Sequence, residues 1–331
     1  MKAATRAIIA SLLALVFVVP AVGQAQEKKQ VRIHTAGPAD PNVDQTALAM
    51  KFADYVNANS KTVEVKVFPN SQLGQSREVI EAMRLGSGAS ATTGGPGEYL
   101  SFVKRLGVLG LPFVWKDYNH AIKVLNGEVG AELNGDMEKA GFKVLAWSVS
   151  WGFRSVVTAK KEVTKVEDLK GLKIRTIPNK VFLAVINTLG ANATPMNFGE
   201  VYTSLQSGVL DGYEHTPATT ASFKFYEVAC CTALTRHLMD PTMLAFSLPE
   251  WKKFNAEEQD VMLKGAKAAA TYVLEQAPQK ENEFIELLKK NGMKFHEIDL
   301  SSLKDAVAKA QDDLAKETGT ESLLAKIRAV Q

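Results

Sequence analysis

The chain of 331 residues has only two cysteines, and they are neighbours, Cys230 and Cys231. A disulfide framework is thereby excluded, and two cysteines without histidines at ligand spacing give no zinc site. Bridging adjacent residues demands a strained ring, so the pair is expected to be free, buried, structural thiols. Charge of one sign is also lacking, since 39 basic residues against 36 acidic ones leave a formal +3. No Lys/Arg block interleaves with aromatics, so nucleic acid is not an expected partner. The five histidines, His34, His120, His215, His237 and His296, are scattered. They form no HExxH or other paired spacing, and no metal or cofactor is expected. A GxSxG elbow and a GxxxxGK phosphate loop are both missing. The run "GSGASA" from Gly86 satisfies GxGxxA, but it follows a helix rather than a strand and reads as a helix stop.

What is present begins at the N-terminus. Lys2 and Arg6 precede the apolar run "AIIASLLALVFVVP", which small residues in "AVGQAQ" follow. This is the layout of a cleavable secretory signal, with cleavage expected after Ala25 or Gly23. No later stretch reaches about 18 consecutive apolar residues. The mature chain is therefore expected to be soluble and exported, which in a bacterium with two membranes means the periplasm. With 46% hydrophobic residues it can bury a large core, and its length suggests two domains. Alternating strand and helix patterns, from "VRIHT" and "DQTALAMKFADYVNANS" onward, place it in the α/β class. "KDYNHAIKVLNGEVGAELNGDMEKAG" reads as a long helical stretch, and a helix over about 255–290 is expected to kink at Pro278. "PNSQLGQSREVIEAMRLGSG" is echoed by "TPMNFGEVYTSLQSGVLDG". Two similar βα units about 120 residues apart suggest two comparable lobes with a ligand cleft between them.

Three stretches carry candidate chemistry. In "GLKIRTIPN", Lys173 and Arg175 share one face of a strand, and alternation alone leaves open whether Arg175 is solvated or aimed. In "SVSWGFRSVV", Arg154 lies beside Trp151 and Phe153, a setting too apolar for an arginine without a partner. Two arginines closing on one cleft would make an anion clamp, because a guanidinium offers a rigid fork to a carboxylate. "VLDGYEHTPATT" gathers Asp211, Glu214 and His215. Acid–base chemistry is possible there, and an exported hydrolase or isomerase using Glu214 and His215 is the alternative reading. The bland one is a turn in which Thr216 and Pro217 start a helix.

"DLKGLKIRTIPN", then "LGANATPMNFGEVYTSLQSGVLDGYEHTP" and "KFYEVACCTALTRHL", resemble the substrate-binding proteins of tripartite ATP-independent periplasmic (TRAP) transporters, the dicarboxylate-binding-protein family. "GLPFVW" and "SWGFR" upstream extend the likeness through nearly the whole mature chain. The resemblance implies a two-lobed type II periplasmic-binding-protein fold with hinge strands and a long helix spanning both lobes. Lobe one would hold residues 31–151 and 240–280, and lobe two 152–239 and 281–331. It implies no enzyme but a monomeric binding protein that closes on an organic acid and is read by separate membrane permease subunits. Arg175 would form the main salt bridge to the ligand carboxylate, Arg154 would line the site and Phe198 would cover the ligand. Glu214 and His215 would add polar contacts, although many relatives carry Asn at the latter position. Tyr213, Trp151, Thr35, Thr93 and Thr242 complete the expected substrate-binding set. The Tyr213, Glu214, His215 corner favours a hydroxylated acid, because Glu214 would repel a second carboxylate unless it is protonated or paired.

Overall fold

The computed structural model describes residues 27–331, so the expected signal peptide, 1–25, lies outside the described residues. Four strands come first: β1 (Lys29–Thr35), β2 (Val63–Phe68), β3 (Ala91–Gly94) and β4 (Phe142–Val149). Five follow: β5 (Arg154–Thr158), β6 (Lys173–Thr176), β7 (Asn192–Pro195), β8 (Gly212–His215) and β9 (Cys231–Leu238). Then β10 (Pro241–Ser247) returns to the first group and β11 (Lys294–Glu297) joins the second. The result is a five-stranded sheet in the order β2-β1-β3-β10-β4 and a six-stranded sheet in the order β11-β9-β5-β8-β6-β7. Each is the centre of one lobe of an α/β periplasmic-binding-protein fold.

The chain passes between the sheets at two short strand crossings, 150–153 and 239–240. The first is held from three sides. Trp151 N–H donates to Asp44 Oδ2 (3.2 Å), Gly152 N–H to Tyr118 Oη (3.0 Å) and Phe153 N–H to Glu281 Oε1 (3.3 Å). Backbone donors at a crossing cannot join either ladder, so side chains satisfy them.

Glu281 belongs to the long helix Ala256–Lys290, which starts at an Asn255/Glu258 capping box and runs on through Pro278. Its first half packs on lobe one through Met262, Ala266, Ala269 and Val273. Gly265 permits that approach, because a Cβ there would stand 3.0 Å from Tyr55 and 3.1 Å from Val56. Its second half buries Phe284 and Leu288 and reaches the lobe-two crossing through Glu281. The helix therefore touches both lobes, as expected. The stretch read as one helix after Asp117 is two, Tyr118–Leu125 and Glu128–Lys139, broken at Asn126–Gly127. At the C-terminus, helix Glu321–Ala329 lies on lobe one, where Ile327 O meets His120 Nε2 (3.1 Å).

The expectation of free thiols is corrected. Cys230 and Cys231 are bonded to each other, with S–S 2.13 Å. The sheet fixes the backbone around the pair: Cys230 N–H donates to Thr158 O (3.0 Å), and Cys230 O accepts from Lys294 N (2.9 Å). Backbone ladders, not thiol packing, hold the two side chains together.

Candidate functional site

Strand direction brings the candidate residues to one edge. β6 and β8 are parallel, so both end on the cleft side, at Thr176 and His215. β5 is antiparallel to β8, with Ser155 opposite His215, so β5 begins where β8 ends and Arg154 meets the carboxyl ends of β6 and β8. Ligands of open α/β sheets lie outside such strand ends. The first sheet presents a matching edge: β3 ends at Gly94, and antiparallel β10 begins beside it, with Met243 opposite Gly94.

Arg154 and Glu214 form a buried pair, their side chains 2% and 1% exposed. Arg154 Nε donates to Glu214 Oε2 (2.6 Å) and Nη2 to Oε1 (2.7 Å), a two-point fork. Thr176 Oγ1 adds a bond to Oε1 (2.9 Å), and His237 Nε2 stands 3.5 Å from Oε2. Burial alone would raise the acid's proton affinity, but the charge of Arg154, the nearby His237 and the bonds from Arg154 outweigh it and hold Glu214 far below the usual carboxylate range. Both oxygens of Glu214 are thus engaged within the protein, and the charge of Arg154 is neutralised.

Arg175 is different. Its residue is 3% exposed, and burial draws the guanidinium down to about 10. Nε donates to Met196 O (2.9 Å), and the group lies 5.5 Å from the Phe198 ring centroid. Among the described residues no carboxylate forms a salt bridge to it. Lys173, two positions earlier on the same face, is exposed because it sits at the far end of the strand. Charge accounting for the wall gives Arg154 and Glu214 cancelling and Arg175 left over.

His215 sharpens this. Burial, then the positive charges of Arg154 and Arg175, push it well below its ordinary value, so the ring is neutral. Nδ1 accepts from Thr216 N–H (2.9 Å), which places the ring proton on Nε2. That N–H faces Arg154 Nη1 at 3.3 Å. Two donors this close leave no room for an atom between them, but a single acceptor lying alongside can serve both.

The facing lobe supplies carboxyls that the sequence reading missed. Glu98 and Asp240 lie at the end of β3, where a Cβ on Gly94 or Gly95 would be 2.6 Å from Glu98 Oε2 or Asp240 Oδ2 respectively. Burial raises Glu98 to about 7, against a weak pull from the Ser76 hydroxyl and helped by the charge of Asp240. Burial likewise raises Asp240 to about 7 against the pull of Arg154, whose Nη1 is 3.8 Å away. The signal available was "GGPGE" together with an acid directly after the second crossing, in "HLMDP".

The remaining named residues have varied surroundings. Tyr213 is fully buried, donating to Thr220 Oγ1 (2.8 Å) and packed on Phe225 at 4.7 Å between centroids. Trp151 is fully buried and donates through Nε1 to Val273 O (2.8 Å). Thr242 donates to Val149 O (3.3 Å), and Thr35 Oγ1 accepts from Gly37 N–H (3.4 Å). Thr93 Oγ1 is buried without a partner.

Residues 34–318 match the family model for bacterial extracellular solute-binding proteins, family 7. A TRAP periplasmic solute-binding protein from Polaromonas sp. JS666, solved with D-erythronate, is 32% identical with a TM-score of 0.86, covering 92% of this chain and 99% of that one. The 2,3-diketo-L-gulonate-binding periplasmic protein YiaO of Escherichia coli K12 is 31% identical over 82% of each chain. The C4-dicarboxylate-binding periplasmic protein DctP of Rhodobacter capsulatus is 29% identical over 96% of this chain and 94% of its own.

Proposed function

We propose a ligand class for this chain, which belongs to the family 7 bacterial extracellular solute-binding proteins and acts in TRAP transport: a polyhydroxylated monocarboxylate, such as an aldonate or uronate. The observation that carries the reading is the unpaired Arg175 beside a neutralised Arg154. A buried guanidinium with free Nη groups favours an anion that repays its desolvation, and one net charge accommodates one carboxylate. One carboxylate oxygen would take the fork of Arg175. The other would lie alongside Arg154 Nη1 and His215 Nε2–H, within reach of both donors, while Phe198 covers the group from its own lobe. D-erythronate and 2,3-diketo-L-gulonate, named for two relatives, are acids of this class; the dicarboxylate named for the third is not.

Binding and closure follow from the layout. The carboxylate engages lobe two first. Contacts with lobe one become available as the crossings at 150–153 and 239–240 flex, so ligand shifts the population toward the closed form. In this reading the closed form is delivered to membrane permease subunits, and the protein works in the periplasm after removal of residues 1–25. The names of the relatives support the compartment.

The test is a thermal-shift screen of aldonates and uronates against succinate and malate, followed by calorimetry. A true ligand at 100 times its Kd should stabilise the protein by about 2.7 kcal/mol. Stabilisation by succinate alone would overturn the monocarboxylate reading, and product formation lost in His215→Ala would restore the enzymatic alternative.

A further inference from the structure

We propose that Glu98 and Asp240 form a hydroxyl-reading wall on lobe one that accepts hydrogen bonds from the ligand's tail and turns away a second carboxylate. This rests on the preceding reading, that Arg175 takes the carboxylate, and concerns the opposite end of the ligand.

The wall is built into the backbone. Gly94 and Gly95 close β3 without side chains, and the carboxyls of Glu98 and Asp240 fill the vacated space, each 2.6 Å from where a Cβ would be. An alanine at either glycine would displace an acid. Among the described residues, neither acid has a cation of its own. Arg154 Nη1, 3.8 Å from Asp240 Oδ2, is the nearest, and Arg154 is already forked to Glu214. The hydroxyl of Ser76 exerts only a weak downward pull on Glu98. Lone pairs therefore remain on both acids.

A hydroxyl can meet those oxygens without bringing charge, whereas a ligand carboxylate would add a third negative group at short range in a poorly screened cleft. Burial has already raised the proton affinity of both acids, the response of carboxyls that lack a counter-charge.

The two ends of the site meet at one atom. Arg154 Nη1 is 3.3 Å from His215 Nε2 on the carboxylate side and 3.8 Å from Asp240 on the wall side. A ligand anchored at Arg175 and bridging to that nitrogen carries its next carbons past Asp240. Across from the wall, Asn179 at the start of helix Lys180–Thr188 caps Phe182 N–H through Oδ1 (3.0 Å). Its Nδ2 is buried without a partner, 3.9 Å from the Cβ position of Gly97. Acceptors on lobe one and a spare donor on lobe two suit a group that both donates and accepts, which is a hydroxyl.

The experiment is calorimetry on the purified protein at pH 8, above the raised values of both acids. The probes are D-galactonate, D-galacturonate, D-gluconate and D-glucuronate with the matching diacids, D-galactarate and D-glucarate. The tightest monoacid should bind at least about tenfold better than the diacid of its skeleton. Glu98→Gln and Asp240→Asn should each weaken it about tenfold while narrowing that ratio, because an amide keeps a hydrogen bond but loses the charge. The ratio is insensitive to the fraction of protein folded, so a destabilised variant still reports. Equal affinity for monoacid and diacid, or a ratio unchanged in both variants, overturns the wall. If none of the four monoacids binds, the Arg175 reading fails first and the wall with it.

Discussion

The two faces of the cleft carry opposite charge and treat it in opposite ways. On lobe two, Arg154 is buried with a matched acid forked to it, and Arg175 is buried with none. On lobe one, Glu98 and Asp240 are acids without matched cations, and both are raised to about 7. A paired charge is scaffolding, because removing one partner strands the other in a dry interior. An unpaired one is an unfilled valence aimed at something from outside. Burial alone does not mark the residue that takes the charge of a ligand; a missing counter-charge does.

The largest effect expected is on the paired side. Arg154→Leu leaves Glu214 buried with only Thr176 and His237 beside it, and should cost about 3–5 kcal/mol of unfolding free energy. Denaturant titration measures this, and a variant as stable as the parent would break the scaffolding half of the comparison.

The unpaired acids predict a pH effect of definite sign. Glu98 rises from 4.5 to about 7, Asp240 from 3.8 to about 7 and Asp44 from 3.8 to about 6. Each folded pKa is above its unfolded one, so the protonated forms contribute stability that is complete below about pH 4 and lost as pH rises through 6 to 7. The unliganded protein should melt lower at pH 8 than at pH 5. Glu98→Gln or Asp240→Asn should flatten that slope, and an unchanged slope in both would remove the acids from the account.

His215 gives a smaller and more selective change. His215→Asn offers an amide N–H in place of the imidazole N–H and should keep most affinity. His215→Leu removes the donor and should cost about 1–2 kcal/mol of binding. Equal affinities in the two variants would mean that Nε2–H donates to nothing in the ligand. Smallest of all, Cys230→Ser opens a ring between adjacent residues, where little chain entropy is constrained, and should cost about 1 kcal/mol or less in a melt.

Much of the architecture was legible. Alternating strand and helix patterns gave the α/β class, and the echo of "EVIEAMRLG" in "EVYTSLQSG" falls on a helix between two strands in each lobe. The long helix was read almost to the residue, because Asn255 and Glu258 form a capping box at its start. What was not legible is pairing at long range. Arg154 and Glu214 are 60 residues apart, and only strand antiparallelism makes them neighbours. Glu98 and Asp240 belong to segments whose meeting depends on β10 returning to the first sheet. Tyr213 pointed into the core because the strand alternates and Glu214 takes the other face. The bonded cysteines escaped because a ladder on either side, not the local sequence, sets their geometry.

The most direct measurement of the central claim is Arg175→Leu, read twice: by calorimetry with the tightest acid from the screen, and by thermal melting without ligand. Binding should weaken by about 2–5 kcal/mol, while the melting temperature holds or rises, because the guanidinium removed was buried without a counter-charge. Retained affinity, or a loss of stability as large as that expected for Arg154→Leu, would contradict the assignment of Arg175 as the free charge that receives the ligand.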